Sequence, residues 1–286
     1  MPSRFRWLPG RGRLLVSTDL HGNGADLRAL RSVFKALCAE RPDTETHWAL
    51  LGDLVHGPDD GARAEQPEIY GYPDESPALP AQVLALMAEH PDRVHYVLGN
   101  HDHGHVGGPH TGKFYDDEVL ALEARLDDAQ KIALRGLFST AYLALAAPCG
   151  VLLCHGSPDH TLQRPTDLDD IPLEVRQATP YQRRILDTFL RSYGQRADVT
   201  ARLLARIGSE PRLTLVVHGH DRDESGYFTD GENQVCPVIF GALRENKRYL
   251  VLDLAARYAS AADLREGLEI RRLHPQEVPL AGAPGS

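Results

Sequence analysis

Five times along the 286-residue chain a short apolar run stops at a polar block of glycine, histidine and aspartate or asparagine. The blocks are Asp19-Leu20-His21-Gly22-Asn23, Gly52-Asp53-Leu54-Val55-His56-Gly57, Gly99-Asn100-His101-Asp102, Cys154-His155-Gly156 and Val217-His218-Gly219-His220. They follow Arg13–Ser17, Trp48–Leu51, Val94–Leu98, Val151–Cys154 and Leu213–Val217, each short and apolar enough for a buried strand. Helical periodicity occupies the first intervals: Leu27, Leu30, Val33, Phe34 and Leu37 share a face over Asp26–Glu40, and Val83, Leu84, Leu86 and Met87 cluster over Ala81–Glu89. Such alternation points to a layered α/β fold, in which ligands gather at the carboxyl ends of the strands. Because the blocks span both halves of the chain and must meet at one place, one domain over 1–275 is the economical organisation. A Pro/Gly/Ala-rich tail, 276–286, is expected to fray.

The remaining pattern is consistent with this. Helices are expected at about Asp116–Leu126, Ala129–Leu137, Leu173–Tyr193 and Asp198–Ile207, and a hairpin from Tyr142–Ala146 and Val151–Cys154 around Pro148-Cys149-Gly150. Further strands are expected at Val235–Phe240, Tyr249–Leu254 and Leu268–Leu273. Gly57–Pro80 is rich in Pro, Asp, Glu and Gly and has no apolar period, so it reads as a functional or lid-like excursion.

Composition narrows the chemistry. Nine of the 14 histidines (His21, His56, His101, His103, His105, His155, His160, His218, His220) fall in a few Gly-rich stretches. A net charge of −9 disfavours a grip on nucleic acid or an anionic lipid surface and favours cations. Four scattered cysteines suit reduced thiols in a cytoplasmic protein. No apolar run approaches a membrane span, and the early arginines lack the apolar stretch of a signal peptide. Oligomeric state is not legible.

Carboxylate oxygen and imidazole nitrogen are ligands shared by Mn, Fe and Zn, and a carboxylate such as Asp53 can bridge two ions. Taken singly, each block also reads blandly. Asp19 and His21 could be a turn cap and a surface histidine, Asp53 a strand terminator, Asn100 and His101 an Asn turn, His155 and His220 hydrogen-bonded core histidines. His103, His105 and His110 lack strand support and read as solvated loop; His160 and His218 read as non-ligands.

In order and spacing, D-x-H-G, G-D-x-V, G-N-H-D, H-G and H-G-H resemble the calcineurin-like metallophosphoesterases, in particular the PPP branch of serine/threonine protein phosphatases, from about Leu14 to Leu254. The resemblance implies two mixed β-sheets packed between outer helices (α/β/β/α). It also implies two divalent cations, manganese first with iron or zinc as alternatives: Asp19 and His21 on one, Asn100, His155 and His220 on the other, Asp53 bridging. A water between the ions would attack phosphorus, and His101 would be the general acid at the leaving alkoxide. The implied substrate is a phosphoserine or phosphothreonine protein, with phosphotyrosine open. A small phosphate ester or dinucleoside polyphosphate is the alternative, and a non-catalytic scaffold is the third reading. Arg222 after Gly219-His220-Asp221 favours the PPP branch over the general G-H-x-H form.

Two departures stand out. Where the PPP second motif continues D-R-G, this chain has His56-Gly57-Pro58, so the residue that orients the catalytic histidine and the arginine that holds phosphate are both missing from their places. Asp59, Asp60 and Asp102 are candidates for the first role, and His56 for partnering His101 or touching phosphate. Arg183, Arg184, Arg222 and Arg244 are candidates for the second. The S-A-P-N-Y stretch of the eukaryotic enzymes is replaced by Phe240-Gly241-Ala242-Leu243-Arg244-Glu245.

Overall fold

The computed structural model describes residues 3–208 and 210–274, so the tail expected over 276–286 lies outside it. The strands are β1 Phe5–Trp7, β2 Arg13–Ser17, β3 Thr46–Leu50, β4 Val94–Tyr96, β5 Ala144–Ala147, β6 Val151–Cys154, β7 Leu215–Val217, β8 Tyr227–Thr229, β9 Gln234–Pro237, β10 Arg248–Asp253 and β11 Ile270–Arg272. They form two mixed sheets, ordered β11-β10-β2-β3-β4 and β1-β5-β6-β7-β9-β8. In the first, β2, β3 and β4 run parallel; in the second, β6, β7 and β9 do. Their block-bearing carboxyl ends therefore share an edge.

The period of two along each strand builds the layers. Leu14, Val16, Ala49 and Leu51 meet Leu145, Ala147, Val151, Leu153, Leu215 and Val217 in one apolar cluster between the sheets. Their neighbours Leu15, Trp48, Leu50, Leu152 and Val216 face outward, packing with helix residues such as Leu27, Leu30, Phe34, Phe189 and Leu203. Trp48 tolerates complete burial because its indole N–H donates to Ser17 Oγ at 2.9 Å. The order helix, sheet, sheet, helix is the expected one.

Several boundaries differ from the sequence reading, for local reasons. The helix expected over Leu173–Tyr193 is confined to Pro180–Arg191, capped by Thr179; proline removes a backbone donor and disfavours helical geometry in the residue before it. β1 and β8, each three residues long at a sheet edge, carry too little pattern to be seen. The 57–80 excursion contains two short helices, Asp60–Glu65 and Pro67–Tyr70, the first capped by the Asp59 carboxylate on the Ala62 N–H. All four cysteines are free, three of them buried. Among the described residues, no helix is long and apolar enough to cross a membrane.

Candidate active site

The blocks are stitched together by backbone. Leu20 and His21 N–H groups both donate to the Asp53 carbonyl at 2.9 Å, and Gly219 N–H donates to the His155 carbonyl at 2.8 Å. Asn23 of the first block caps the helix Gly24–Glu40 through its side chain on Asp26 N–H. Gly52, at φ +85°, lies so close to Gly99 that a Cβ on it would stand 2.5 Å from the Gly99 nitrogen. This contact lets the second and third blocks touch, and the His101 N–H reaches Asp53 Oδ1 at 2.9 Å. Six non-glycine residues among those described have positive φ, and four of them are His21, Asp53, His56 and His220. Strain of this kind persists only where the surroundings enforce it, and it gathers at functional sites.

Asp53 is central. Its Oδ2 lies 3.6 Å from His21 Nε2 and 3.4 Å from His155 Nε2. His21 Nδ1 donates to the His56 carbonyl at 3.1 Å and His155 Nδ1 donates to the Leu51 carbonyl at 2.7 Å. Carbonyls only accept, so in each neutral ring the Nε2 facing Asp53 is a lone pair. His155 Nε2 also faces Asn100 Oδ1 at 3.0 Å. With both rings neutral, several acceptors thus converge on buried points, an arrangement suited to a cation, with the ligand tautomers fixed by backbone carbonyls from behind. Among the described residues three sets of side chains are close enough to share an ion: His21/Asp53/His101 and Asp53/His155/His220, with Asp53 in both, and His56/His101/Glu118 beside them. Asp19 is buried in the same region, its carboxylate accepting the His220 N–H at 3.1 and 3.2 Å. It joins none of these sets, so its place as a ligand rests on the family resemblance.

The electrostatics show the same need for positive charge. Burial pushes the Asp19 carboxyl up to about 7, His155 opposing and Asp53 adding. Burial disfavours a charged His155, yet Asp53, with Asp19 adding, outweighs it and holds that histidine at about 10; against carboxylates alone the ring keeps an Nε2 proton, the proton a cation would displace to take that nitrogen as ligand. For His220 burial dominates, with His155 adding, and the ring is lowered to about 3, the neutral form a metal needs.

A cleft of about 430 Å³ opens over these groups, lined in part by His21, Asp53, Asn100, His101 and His220. Three basic side chains share it: Lys113, Arg191 and Arg222. Of the four arginines proposed from sequence, only Arg222 lines this cleft; its Nη1 reaches Tyr70 Oη at 3.1 Å. Arg183 and Arg184 line a neighbouring pocket, and Arg244 sits in a short turn over 244–246. Lys113 was missed because nothing marks a lone lysine in a loop. It packs 4.0 Å over the Phe240 ring, and burial, with Arg222 nearby, lowers it to about 8. Tyr193, 64% exposed, lays its ring 4.7 Å from that of His220.

The sequence reading of His103 and His105 as solvated loop is corrected: both are buried. The turn Asn100–His103 runs on into a tighter one, Gly104–Val106, and folds both rings inward. His103 Nε2 donates to the Leu173 carbonyl, and His105 bridges His56 and Glu123. His110 is exposed and pairs with Asp117; His218 is a buried histidine bonded to the Gly219 carbonyl. None of the three candidate orienters reaches His101. Asp59 caps a helix, Asp60 pairs with Arg63, and Asp102 accepts the Asp53, Leu54 and Gly99 N–H groups and the Tyr96 hydroxyl. The carboxylate at His101 is Glu118, whose Oε2 stands 3.0 Å from His101 Nδ1 and 3.7 Å from His56 Nδ1. Glu118 has no sequence signal beyond its place at the start of the helix Glu118–Glu123.

The fold has solved relatives. A serine/threonine phosphatase from Saccharomyces cerevisiae, described as similar to human phosphatase PP5, superposes with TM-score 0.60 at 14% identity over 88% of this chain and 77% of that one. A cold-active protein-tyrosine phosphatase of a psychrophilic Shewanella superposes with TM-score 0.56 at 12% identity, over 89% and 78%. At such identities these likenesses concern the fold. No curated protein sequence matches the chain. The family model for calcineurin-like phosphoesterases matches residues 12–251, which hold all five blocks. The chain belongs to the calcineurin-like phosphoesterase family, and is a hydrolase of phosphate esters.

Proposed function

We propose that the protein is a PPP-like phosphomonoesterase acting on phosphoserine and phosphothreonine in proteins, with phosphotyrosine also admitted. The supporting observation is the shape of the site. None of the residues lining the metal cleft comes from 57–80; that excursion instead walls an adjoining cavity of about 440 Å³, which shares Tyr193 and Arg222 with the first. An extended groove of this form suits a polypeptide, whereas a lid closing on the cleft would suit a small ester. The exposed Tyr193 ring favours the second reading, a nucleotide or dinucleoside polyphosphate stacked at the mouth.

The residues fit a dinuclear centre, with Asp19, His21, Asp53, Asn100, His155 and His220 as the holding set. When bound, the two divalent cations, manganese first, supply charge for the phosphoryl oxygens and a water acidic enough to attack phosphorus. The chain's own residues do the rest. Arg222, Lys113 and Arg191 grip phosphate oxygens and orient the ester. His101 gives a proton to the leaving alkoxide, so that ester and water become phosphate and alcohol. Such a donor matters most for serine and threonine esters, whose alkoxides leave poorly.

The test is a comparison of phosphopeptides, mononucleotides and dinucleoside polyphosphates on the Mn²⁺-supplemented protein. Highest kcat/KM on phosphopeptides supports the reading, and highest kcat/KM on dinucleoside polyphosphates refutes it.

A further inference from the structure

Behind His101 lies a chain of titratable groups built from three segments. His105 Nδ1 is 3.0 Å from Glu123 Oε1 and its Nε2 is 2.9 Å from His56 Nε2. His56 Nδ1 is 3.2 Å from His101 Nδ1. Glu118, 1% exposed, accepts the Phe114 N–H on Oε1 and turns Oε2 toward the two Nδ1 atoms, with the Thr111 hydroxyl also bonded to the carboxylate.

The protons can be placed by elimination. A carboxylate only accepts, so His105 Nδ1 carries hydrogen and its Nε2 is a lone pair. His56 Nε2 must then donate, which makes His56 Nδ1 a lone pair as well. His101 Nδ1 faces two acceptors, His56 Nδ1 and Glu118 Oε2, and the Thr111 hydroxyl at 3.2 Å, which rotates to suit; the two facing acceptors place the hydrogen on Nδ1. Its Nε2 is thereby the nitrogen turned to substrate, and in the acid role it carries the second ring hydrogen, the one handed to the leaving oxygen.

We propose that Glu118, with the His56–His105–Glu123 chain supplying a second acceptor beside it, is the positioning residue that fixes the ring orientation of His101 and holds its Nδ1–H inward. It stands in for a carboxylate missing at position 56, and it comes from after the third block instead of from the second. The inference rests on His101 acting as the leaving-group acid.

Leaving-group dependence tests it, because a defect in proton delivery weighs on poor leaving groups and a general loss of structure does not. Glu118→Gln is expected to lower kcat on a phosphoserine peptide by roughly 10- to 100-fold, part of the ~10²–10⁴ of general acid catalysis. On p-nitrophenyl phosphate it should lose less than about threefold, with KM and metal content unchanged. In a His101→Ala background the same substitution should have no further effect on kcat, since it acts through a group already gone. Equal losses on both esters, or a full additive loss in the double variant, overturn the inference. A wild-type enzyme holding a third ion that Glu118→Gln loses also overturns it, because Glu118, His56 and His101 are close enough to share one. Unchanged serine-ester turnover in His101→Ala overturns the general-acid reading and the inference together; a loss there with wild-type behaviour in Glu118→Gln overturns the inference alone. If Glu118→Gln does not fold, His56→Gln, which breaks the chain one link away, is expected to show the same leaving-group split.

Discussion

Gly52 offers a test of how the site is assembled, because a second glycine separates its two effects. Gly52 and Gly267 both sit at φ +85°, but a Cβ on Gly267 meets nothing within 4 Å, while one on Gly52 would lie 2.5 Å from Gly99 N and 2.6 Å from Gly99 Cα. Ordinary contact begins near ~3.5 Å, so Gly52→Ala forces the second and third blocks apart by about 1 Å. The left-handed backbone costs an L-residue ~1–2 kcal/mol, and overpacking adds ~1–3 kcal/mol. Gly267→Ala should therefore lose only about 1–2 kcal/mol and keep full activity. Gly52→Ala should lose about 2–5 kcal/mol by urea unfolding. Its kcat on p-nitrophenyl phosphate should also fall ~10²-fold, since Asp53, next in the chain, would be misplaced by about 1 Å among the side chains that hold the metals. Equal stability losses in the two variants, or a fully active Gly52→Ala, would refute the reasoning.

Asp102→Ala strands three backbone N–H groups and a tyrosine hydroxyl in the interior, at ~1–3 kcal/mol for each group; a drop in urea midpoint corresponding to at least ~3 kcal/mol is expected, and a stable variant would show that Asp102 is not the brace of this corner. Lys247 Nζ lies 2.5 Å from Asp26 Oδ2, both buried, with His274 on the other oxygen. Lys247→Met should cost about 3–5 kcal/mol at pH 7 because it leaves a buried carboxylate short of charge. Burial alone would raise the Asp26 carboxyl, but His274 and Lys247 bring it below its ordinary value. Its contribution is therefore full above the unfolded value of ~3.9 and is lost as pH falls through the lower folded value, so wild type and Asp26→Asn should converge in stability on acidification. Arg222→Ala should weaken competitive inhibition by inorganic phosphate about 10- to 100-fold, the worth of a charged hydrogen bond; unchanged inhibition would remove Arg222 from the phosphate grip.

The layered fold was legible because β2, β3, β6 and β7 are largely apolar and buried along their length, each followed by a block whose glycines and histidines have no business in a core. Asp53 and His155 could be placed together from order alone, since parallel strands put their carboxyl ends on one edge. Glu118, Lys113 and Arg191 could not. They reach the site from loops and helix ends whose paths depend on tertiary packing, and a single charged residue there has no period to betray it. His105 was misjudged for a related reason. Its Gly-rich neighbourhood reads as solvated, but the pairing of its two nitrogens with His56 and Glu123 removes the penalty of burying a polar ring.

The central claim is a dinuclear centre organised by Asp53, and metal counting joined to turnover addresses it most directly. Mass-spectrometric metal analysis of the full chain after manganese loading should find two ions in the wild type. In Asp53→Asn it should find one or none, with loss of most p-nitrophenyl phosphate hydrolysis. Two retained ions and undiminished turnover in Asp53→Asn would contradict the account.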